Sequence, residues 1–172
     1  MFRFVSSVIK AMNSSDIQVV KAEKSDLKGT LSLIKELAIY ENAEDEVELS
    51  LAELEEDGFG KNPVYGLLVA KDKGEVIGIA LYYLKYSTWK GKCIYLEDLV
   101  VREKYRKQGV GKKLFDKMIS IAKELKVKRL EWQVLDWNKY AISFYKKYNA
   151  VLDDEWLNGK LTFEQIQSYK KQ

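Results

Sequence analysis

Histidine is absent from this chain of 172 residues, and cysteine occurs once, as Cys93. Without histidine, no Ser-His or Cys-His pair can activate a nucleophile, and no histidine-bearing zinc site can form. Any proton transfer at an active site must then use carboxylates, tyrosine, cysteine, lysine or water. The lone Cys93 cannot form an internal disulfide, which is typical of a reducing compartment. We interpret it as a small buried strand residue.

Long apolar runs, internal repeats and linkers are also missing, and Pro63 is the single proline. Because no segment has enough apolar residues in a row to span a bilayer, we expect a cytoplasmic protein that does not act at a membrane. A chain of this length with 47% hydrophobic residues predicts a single domain over residues 16–172. Residues 1–15 contain basic residues but no acid. We expect a tail there that need not be ordered, with a transit-like extension as the alternative.

Charge is nearly balanced over the whole chain, with 29 basic and 26 acidic residues and a net charge of +3. This balance argues against nucleic acid as the main partner, because phosphate neutralisation needs a concentrated basic face. Locally the charges separate. Residues 41–57 contain nine acids and no base, whereas residues 102–113 contain six bases and one acid. The first stretch suits a cation and the second a polyanion, although solvated faces would produce the same pattern.

Hydrophobic periodicity predicts a strand over residues 17–22, followed by a helix that is capped by Ser25 and ends near Tyr40. Ser50 and Glu53 have the spacing of a capping box, which predicts a short second helix closed by two glycines. Next comes a predicted hairpin, with strands over residues 64–71 and 75–86 and a tight turn between them.

A further strand is predicted over residues 92–102, with side chains that alternate between two faces. One face would hold Cys93, Tyr95, Glu97 and Leu99, and the other Ile94, Leu96, Asp98 and Val100. Glu97 and Asp98 would therefore point to opposite sides of the sheet.

The rest of the chain predicts a helix with one apolar stripe, formed by Val110, Leu114, Met118, Ile121 and Leu125. A strand over residues 127–135 follows, then a helix capped by Asn138 that runs to Tyr148. Residues 150–156 and 160–162 are predicted to close the sheet. The order of elements indicates an α/β (α+β) protein.

The loop between the strand 92–102 and the next helix contains the sequence Arg106-Lys107-Gln108-Gly109-Val110-Gly111. Glycines let the backbone approach a ligand closely, and the first N–H groups of the following helix point at anionic oxygens. A P-loop would need a hydroxyl residue after its lysine, and a dinucleotide fingerprint would need a third small residue where Leu114 stands. The alternative is a plain strand-to-helix turn.

This loop resembles motif A of the GNAT acetyltransferases, Arg/Gln-x-x-Gly-x-Gly/Ala, which binds the diphosphate of coenzyme A through backbone amides. Four further blocks, at residues 33–41, 56–60, 95–98 and 137–146, resemble the spermidine/spermine (diamine) N-acetyltransferase branch. The resemblance covers about residues 17–165. It implies a GNAT fold with helices around a mixed central sheet that splays open between two parallel strands, acetyl-CoA as cosubstrate, no metal, and a homodimer.

The resemblance also implies roles for particular residues. As catalytic residues it indicates Tyr145, a proton donor to the departing thiolate, and Glu97, which we also favour from its place on the strand before the loop. The cofactor would contact Leu99, Val100, Val101, Arg106, Lys107, Gln108, Gly109, Val110, Gly111, Lys112, Asn138, Lys139, Tyr140 and Ala141. The amine substrate would contact Tyr40, Glu41, Glu97, Glu131, Trp132, Gln133 and Glu155, with Asp154 as an alternative to Glu155.

The function implied is transfer of an acetyl group from acetyl-CoA to a primary amine of a polyamine such as spermidine or spermine, by direct attack. A lysine analogue such as thialysine, or a protein amine, is an alternative acceptor. A CoA-binding module without catalysis is the alternative from another functional class.

Overall fold

The computed structural model describes residues 17–170, so the expectations for residues 1–15 lie outside the described part of the chain. Two compact units are present, Met1–Gln133 and Val134–Gln172. Within residues 17–170, no helix is long and apolar enough to cross a bilayer.

The first unit contains a five-stranded sheet and three α-helices. The strands are β1 (Gln18–Lys21), β2 (Gly66–Asp72), β3 (Glu75–Ser87), β4 (Gly91–Val101) and β5 (Leu130–Glu131), and the helices are α1 (Leu27–Tyr40), α2 (Leu51–Phe59) and α3 (Val110–Glu124). Spatial order follows chain order, with β1 to β4 antiparallel and β5 parallel to β4. The sheet is therefore mixed, as expected.

Local chemistry explains the hairpin and the start of α2. Asp72 pairs with Glu75, and the two turn residues between them both have positive φ, which is the conformation of a tight two-residue hairpin turn. The predicted capping box of α2 is confirmed. Ser50 N–H donates to the Glu53 carboxylate at 2.9 Å, and Glu53 N–H donates to Ser50 Oγ at 3.2 Å.

The predicted cap of α1 is wrong. A 3-10 turn over Lys24–Asp26 precedes the helix, and Glu23 and Asp26 cap this turn reciprocally, with Glu23 N–H donating to Asp26 Oδ2 at 2.9 Å. Ser25 is exposed inside the turn. The carboxylates at both ends of the turn thus make the capping bonds that we expected from the serine.

The core of the first unit lies on both faces of the sheet. On one face, Leu33 of α1 and Leu54 of α2 belong to a buried cluster that includes Ile79 and Val100. On the other face, α3 packs against β3 and β4. A Cβ at Gly78 would lie 3.1 Å from Leu114 Cδ1, so the missing side chain lets α3 approach closely. Cys93 is fully buried, as predicted.

A β-bulge interrupts the alternation that we predicted for β4. Leu96 pairs with Tyr82 and Asp98 pairs with Leu81, which leaves Glu97 as an extra residue. The predicted faces are therefore wrong beyond this point. Asp98 and Val100 lie on the face of α1 and α2, opposite to the face that holds Leu96.

The predicted strand 127–135 is much shorter in the structure, because β5 contains only Leu130–Glu131. It pairs with Ile94 and Tyr95 of β4, and this pairing does not continue along the described residues that follow. β4 extends six residues past Tyr95 to Val101. The two parallel strands thus separate, and one edge of β4 becomes available to a ligand.

The second unit contains α4 (Lys139–Lys146) and α5 (Phe163–Ser168). The predicted cap of α4 is confirmed, since Ala141 N–H donates to Asn138 Oδ1 at 3.1 Å. The helix ends before the predicted Tyr148. Residues 150–156 and 160–162 form no strands, and all described residues from Val151 onward are exposed. Without a neighbouring strand to pair with, their alternating pattern does not produce β-structure.

Candidate active site

The loop between β4 and α3 has the backbone of an anion cradle. Gly109 occupies the N-cap of α3 with φ 83°, a left-handed conformation that strains any residue with a Cβ. No side chain caps the helix and no acid lies in its first turn. The first N–H groups of α3 and the positive end of its dipole are left for an external anion.

Gly111 also leaves this cradle open, but the backbone conformation at this position does not require a glycine. A Cβ built there would meet only Val101 Cγ2, at 3.7 Å, which is an ordinary contact. The residues present therefore fit the diphosphate of coenzyme A, because the backbone supplies the donors and few side chains crowd them.

Arg106 connects the loop to two neighbouring elements. Its Nε donates to the carbonyl oxygen of Val101 at 3.0 Å, and its guanidinium lies 5.3 Å from the ring centroid of Tyr40. Arg106 thus joins the end of β4, the loop and the end of α1. Tyr40, predicted to contact the substrate, is brought next to the cofactor loop.

The basic stretch 102–113 is partly neutralised by acidic neighbours. Arg102 forms an ion pair with Glu36, and Lys112 Nζ lies 2.6 Å from Asp116 Oδ2. Recognition of a diphosphate at this loop would accordingly depend more on backbone N–H groups than on these cations.

Three carboxylates meet at the bulge of β4. Burial, with the charges of Glu97 and Glu41 as further causes, raises the pKa of Asp98 to about 6. Burial also raises the pKa of Glu41, at the end of α1. Asp98, which we expected to point away from Glu97, is thus part of the same acidic cluster.

Glu97 also interacts with an aromatic pair on the same face. Burial, with the neighbouring Glu97 carboxylate as a further cause, raises the pKa of the Tyr83 phenol. Tyr83 stacks on Tyr95 with 5.3 Å between ring centroids. Burial, with the charges of Glu97 and Glu131 among the further causes, raises the pKa of Tyr95 to about 12, so this phenol stays protonated.

Glu131 lies beside Tyr95 and is held by two cations. Its carboxylate is 3.1 Å from Lys85 Nζ and 2.6 Å from Arg129 Nη2. The Lys85 ammonium also lies 5.2 Å from the centroid of the Tyr95 ring. Glu131 thus extends the polar surface that begins at Glu97.

Other predicted substrate residues lie elsewhere. Trp132 packs edge-on against Phe115 of α3, 5.4 Å between centroids, on the face of the sheet opposite to Glu131. Gln133 is exposed. In the second unit, Glu155 is exposed and its N–H donates to Asp153 Oδ1 at 3.0 Å.

In the second unit, the N-terminus of α4 carries the predicted cofactor residues 138–141, with Lys139 and Tyr140 exposed. Tyr145 is buried, with 6% of its surface exposed, and its ring centroid lies 5.2 Å from that of Phe144. The aromatic packing that we expected for this helix face is present.

Sequence reasoning missed Asp98, Tyr83 and Lys85. Asp98 could have been found, because a carboxylate within an apolar strand requires a reason. Tyr83 and Lys85 could not, since their neighbours Glu97 and Glu131 are set by strand register and by the bulge.

Comparison with known proteins identifies the family of this chain. Residues 31–150 match the acetyltransferase (GNAT) family. A thialysine N-epsilon-acetyltransferase from Bos taurus is 43% identical over 142 residues, which is 78% of this chain and 84% of the relative. A human spermidine/spermine N(1)-acetyltransferase-like protein 1 is 37% identical over 141 residues, 78% of this chain but 20% of that protein.

Among solved structures, an aminoglycoside acetyltransferase from an uncultured soil sample superposes with a TM-score of 0.72. The alignment covers 87% of this chain and 97% of that one, and at 17% identity it supports the fold alone. The chain belongs to the acetyltransferase (GNAT) family, in the branch of the spermidine/spermine-type N-acetyltransferases.

Proposed function

We propose that this acetyl-CoA-dependent N-acetyltransferase acetylates a primary amine of a small cationic acceptor, either a polyamine such as spermidine or spermine or a lysine analogue. The observation that carries the proposal is the cluster of Glu41, Glu97 and Asp98 at the bulge of β4. Three carboxylates near one point produce a negative potential that attracts an ammonium group. The cluster lies on the strand that leads into the cofactor loop.

The amine must lose a proton before it can attack. Alkylamines have pKa values near ~10.4, so the acceptor arrives as an ammonium ion. Glu97 is our candidate for the proton acceptor, directly or through water. Asp98, with a pKa of about 6, adds a second acceptor whose pKa is closer to neutral.

Coenzyme A is proposed to bind along the separated edge of β4. Its diphosphate would rest on the backbone of residues 106–112, and its pantetheine arm would pair with Leu99 and Val101. Residues 138–141 would supply further contacts. A backbone N–H between Leu99 and Val101 would stabilise the oxyanion that forms on the thioester carbonyl.

The reaction then balances as follows. The neutral amine nitrogen attacks the thioester carbonyl, a C–N bond forms, and the C–S bond breaks. The proton of the ammonium passes to the carboxylate cluster. The departing thiolate takes a proton from the hydroxyl of Tyr145. The second proton that the nitrogen loses on becoming an amide returns to this oxygen, directly or through water.

A lysine analogue is a second candidate acceptor, favoured by the name of the bovine relative, a thialysine N-epsilon-acetyltransferase. Its side-chain amine would use the same carboxylates. A protein amine and a CoA-binding role without catalysis are the remaining alternatives.

The test is to incubate the purified protein with acetyl-CoA and a panel of amines, and to follow release of free thiol. We expect turnover with small polycations. Glu97→Gln should lower kcat/KM by at least about tenfold and change its pH dependence. Binding of CoA without thiol release for any amine would favour the non-catalytic alternative.

A further inference from the structure

Lys85 places a cation of the protein itself on the surface where an acceptor would lie. Its ammonium is 3.1 Å from Glu131 and 5.2 Å from the centroid of Tyr95. A carboxylate beside an aromatic face is a favourable environment for any ammonium group. Lys85 therefore occupies a position that would otherwise suit a second positive charge of the substrate.

The location follows from strand register. Lys85 pairs with Cys93 and Tyr83 pairs with Tyr95, so Lys85 lies on the face that carries the aromatic pair. Glu97 is close enough to Tyr83 for its charge to raise the pKa of that phenol. Tyr95 precedes Asp98 by three residues of β4, which corresponds to about 10 Å along the strand.

Small acceptors span about half to three quarters of this distance. In a lysine-like molecule about 7 Å separates the terminal nitrogen from the carboxylate carbon, and in a polyamine the second nitrogen lies about 5–6 Å from the first. With the reacting amine at the acidic cluster, either group would come within the field of Lys85.

We infer that Lys85 determines acceptor specificity, favouring a carboxylate at the distal end of the acceptor and disfavouring a second ammonium group. The inference rests on the proposed acetylation of a small amine. It narrows the acceptor to an ω-amino acid rather than a polyamine. Glu131 and Arg129 contribute by fixing the position of the lysine, and the three side chains together carry one net positive charge.

The test compares two acceptors that differ by one carboxylate, thialysine and bis(2-aminoethyl) sulfide, with spermidine as a third. For Lys85→Met, we expect KM to rise for thialysine and to fall for the sulfide diamine and spermidine. The KM for thialysine divided by the KM for the sulfide diamine should rise by about tenfold. Because the charge acts on binding, kcat and the Kd for CoA should stay within about twofold.

Lys92→Met is the matched control. Lys92 precedes Cys93 in β4 and pairs with Tyr86, so it lies on the opposite face, and its loss changes the net charge equally. This variant should leave the KM ratio unchanged. Lys85→Arg, which retains the charge, should keep the preference of the native protein.

Two results would overturn the inference: a KM ratio that Lys85→Met leaves unchanged, or one that Lys92→Met changes equally. If the native protein binds CoA but releases thiol with none of the three acceptors or the wider amine panel, the proposed function fails instead. Melting temperatures of the three variants establish that each is folded.

Discussion

Asp98 combines partial burial with two neighbouring carboxylates, and this makes folding sensitive to pH. Its pKa is raised from 3.8 to about 6 in the folded protein. Between these values the folded state binds more protons than the unfolded state, so this residue lowers stability as pH rises from about 4 to 6. Above pH 6 the cost is constant.

We therefore predict that Asp98→Asn stabilises the protein near pH 7.5, by up to about 3 kcal/mol for a shift of this size. The gain should shrink as pH falls through 6 and nearly vanish at pH 4. Urea unfolding of both proteins at several pH values would measure it. A stability difference that is the same at pH 4 and 7.5 would contradict the raised pKa.

Tyr145 is the residue on which protonation of the thiolate depends in our proposal. Tyr145→Phe removes one hydroxyl from a buried side chain and leaves no cavity. We expect kcat to fall by about 100-fold or more, in the range of general acid catalysis, with the Kd for CoA changed less than about threefold. Timed assays of thiol release would measure kcat, and calorimetric titration with CoA would measure the Kd.

Tyr148→Phe is the control, because the ring of Tyr148, like that of Tyr145, packs against Phe144. It should retain turnover. An equal loss in both variants would indicate that aromatic packing, rather than proton donation by Tyr145, explains the effect.

At the scale of elements, the turn into α3 depends more on Gly109 than on Gly111. Gly109→Ala forces a Cβ into a left-handed conformation and should cost about 1–2 kcal/mol of stability. It should also weaken CoA binding by at least about tenfold, because the N–H groups of the first helical turn would change direction. Gly111→Ala should be tolerated and should stabilise the helix by up to about 1 kcal/mol.

Thermal unfolding and CoA titration of both variants would check this. If Gly109→Ala bound CoA as tightly as Gly111→Ala, the conformation of residue 109 would not be part of the cradle.

How far the sequence predicted these elements depends on the range of the forces involved. The Ser50 capping box, the Asn138 cap and the turn after Asp72 were predictable because each depends on neighbours within a few residues. The β-bulge at Glu97 was not, since it is set by register with β3. The face of Asp98 was assigned wrongly for that reason.

The prediction of C-terminal strands was wrong for a related reason. Alternating apolar residues after Asn149 match a strand, but a strand needs a partner. The site shows the same distinction between features set by neighbouring residues and features set by strand pairing. The glycine loop and Glu97 could be read from local patterns, whereas the contact of Lys85 with Glu131 spans three strands and requires the sheet.

At the scale of the whole molecule, charge separation in the sequence corresponds to the two regions of the first unit to which we assign the acceptor and the cofactor. Glu41, from the acidic stretch, reaches the cluster at Glu97 and Asp98, and the basic stretch surrounds the start of α3. Most acids of residues 44–57 remain exposed. Their charges would attract a cationic amine toward the first unit.

The second unit presents large apolar side chains to solvent, which is compatible with the homodimer that the family resemblance implies. Trp156, Leu157 and Phe163 are 74%, 98% and 70% exposed. Exposed apolar groups concentrated in one segment are typical of protein interfaces. A second copy of this chain is the partner that the family resemblance implies.

Light scattering should then give about twice the chain mass of 20.0 kDa, and the melting temperature should rise with protein concentration. Leu157→Asp should shift the mass toward one chain, because a carboxylate buried at an interface without a partner is costly. Val64→Asp is the control, since Val64 is exposed in the first unit, away from this segment in sequence. A single-chain mass at all concentrations would contradict the dimer, and equal dissociation by both variants would place the interface elsewhere.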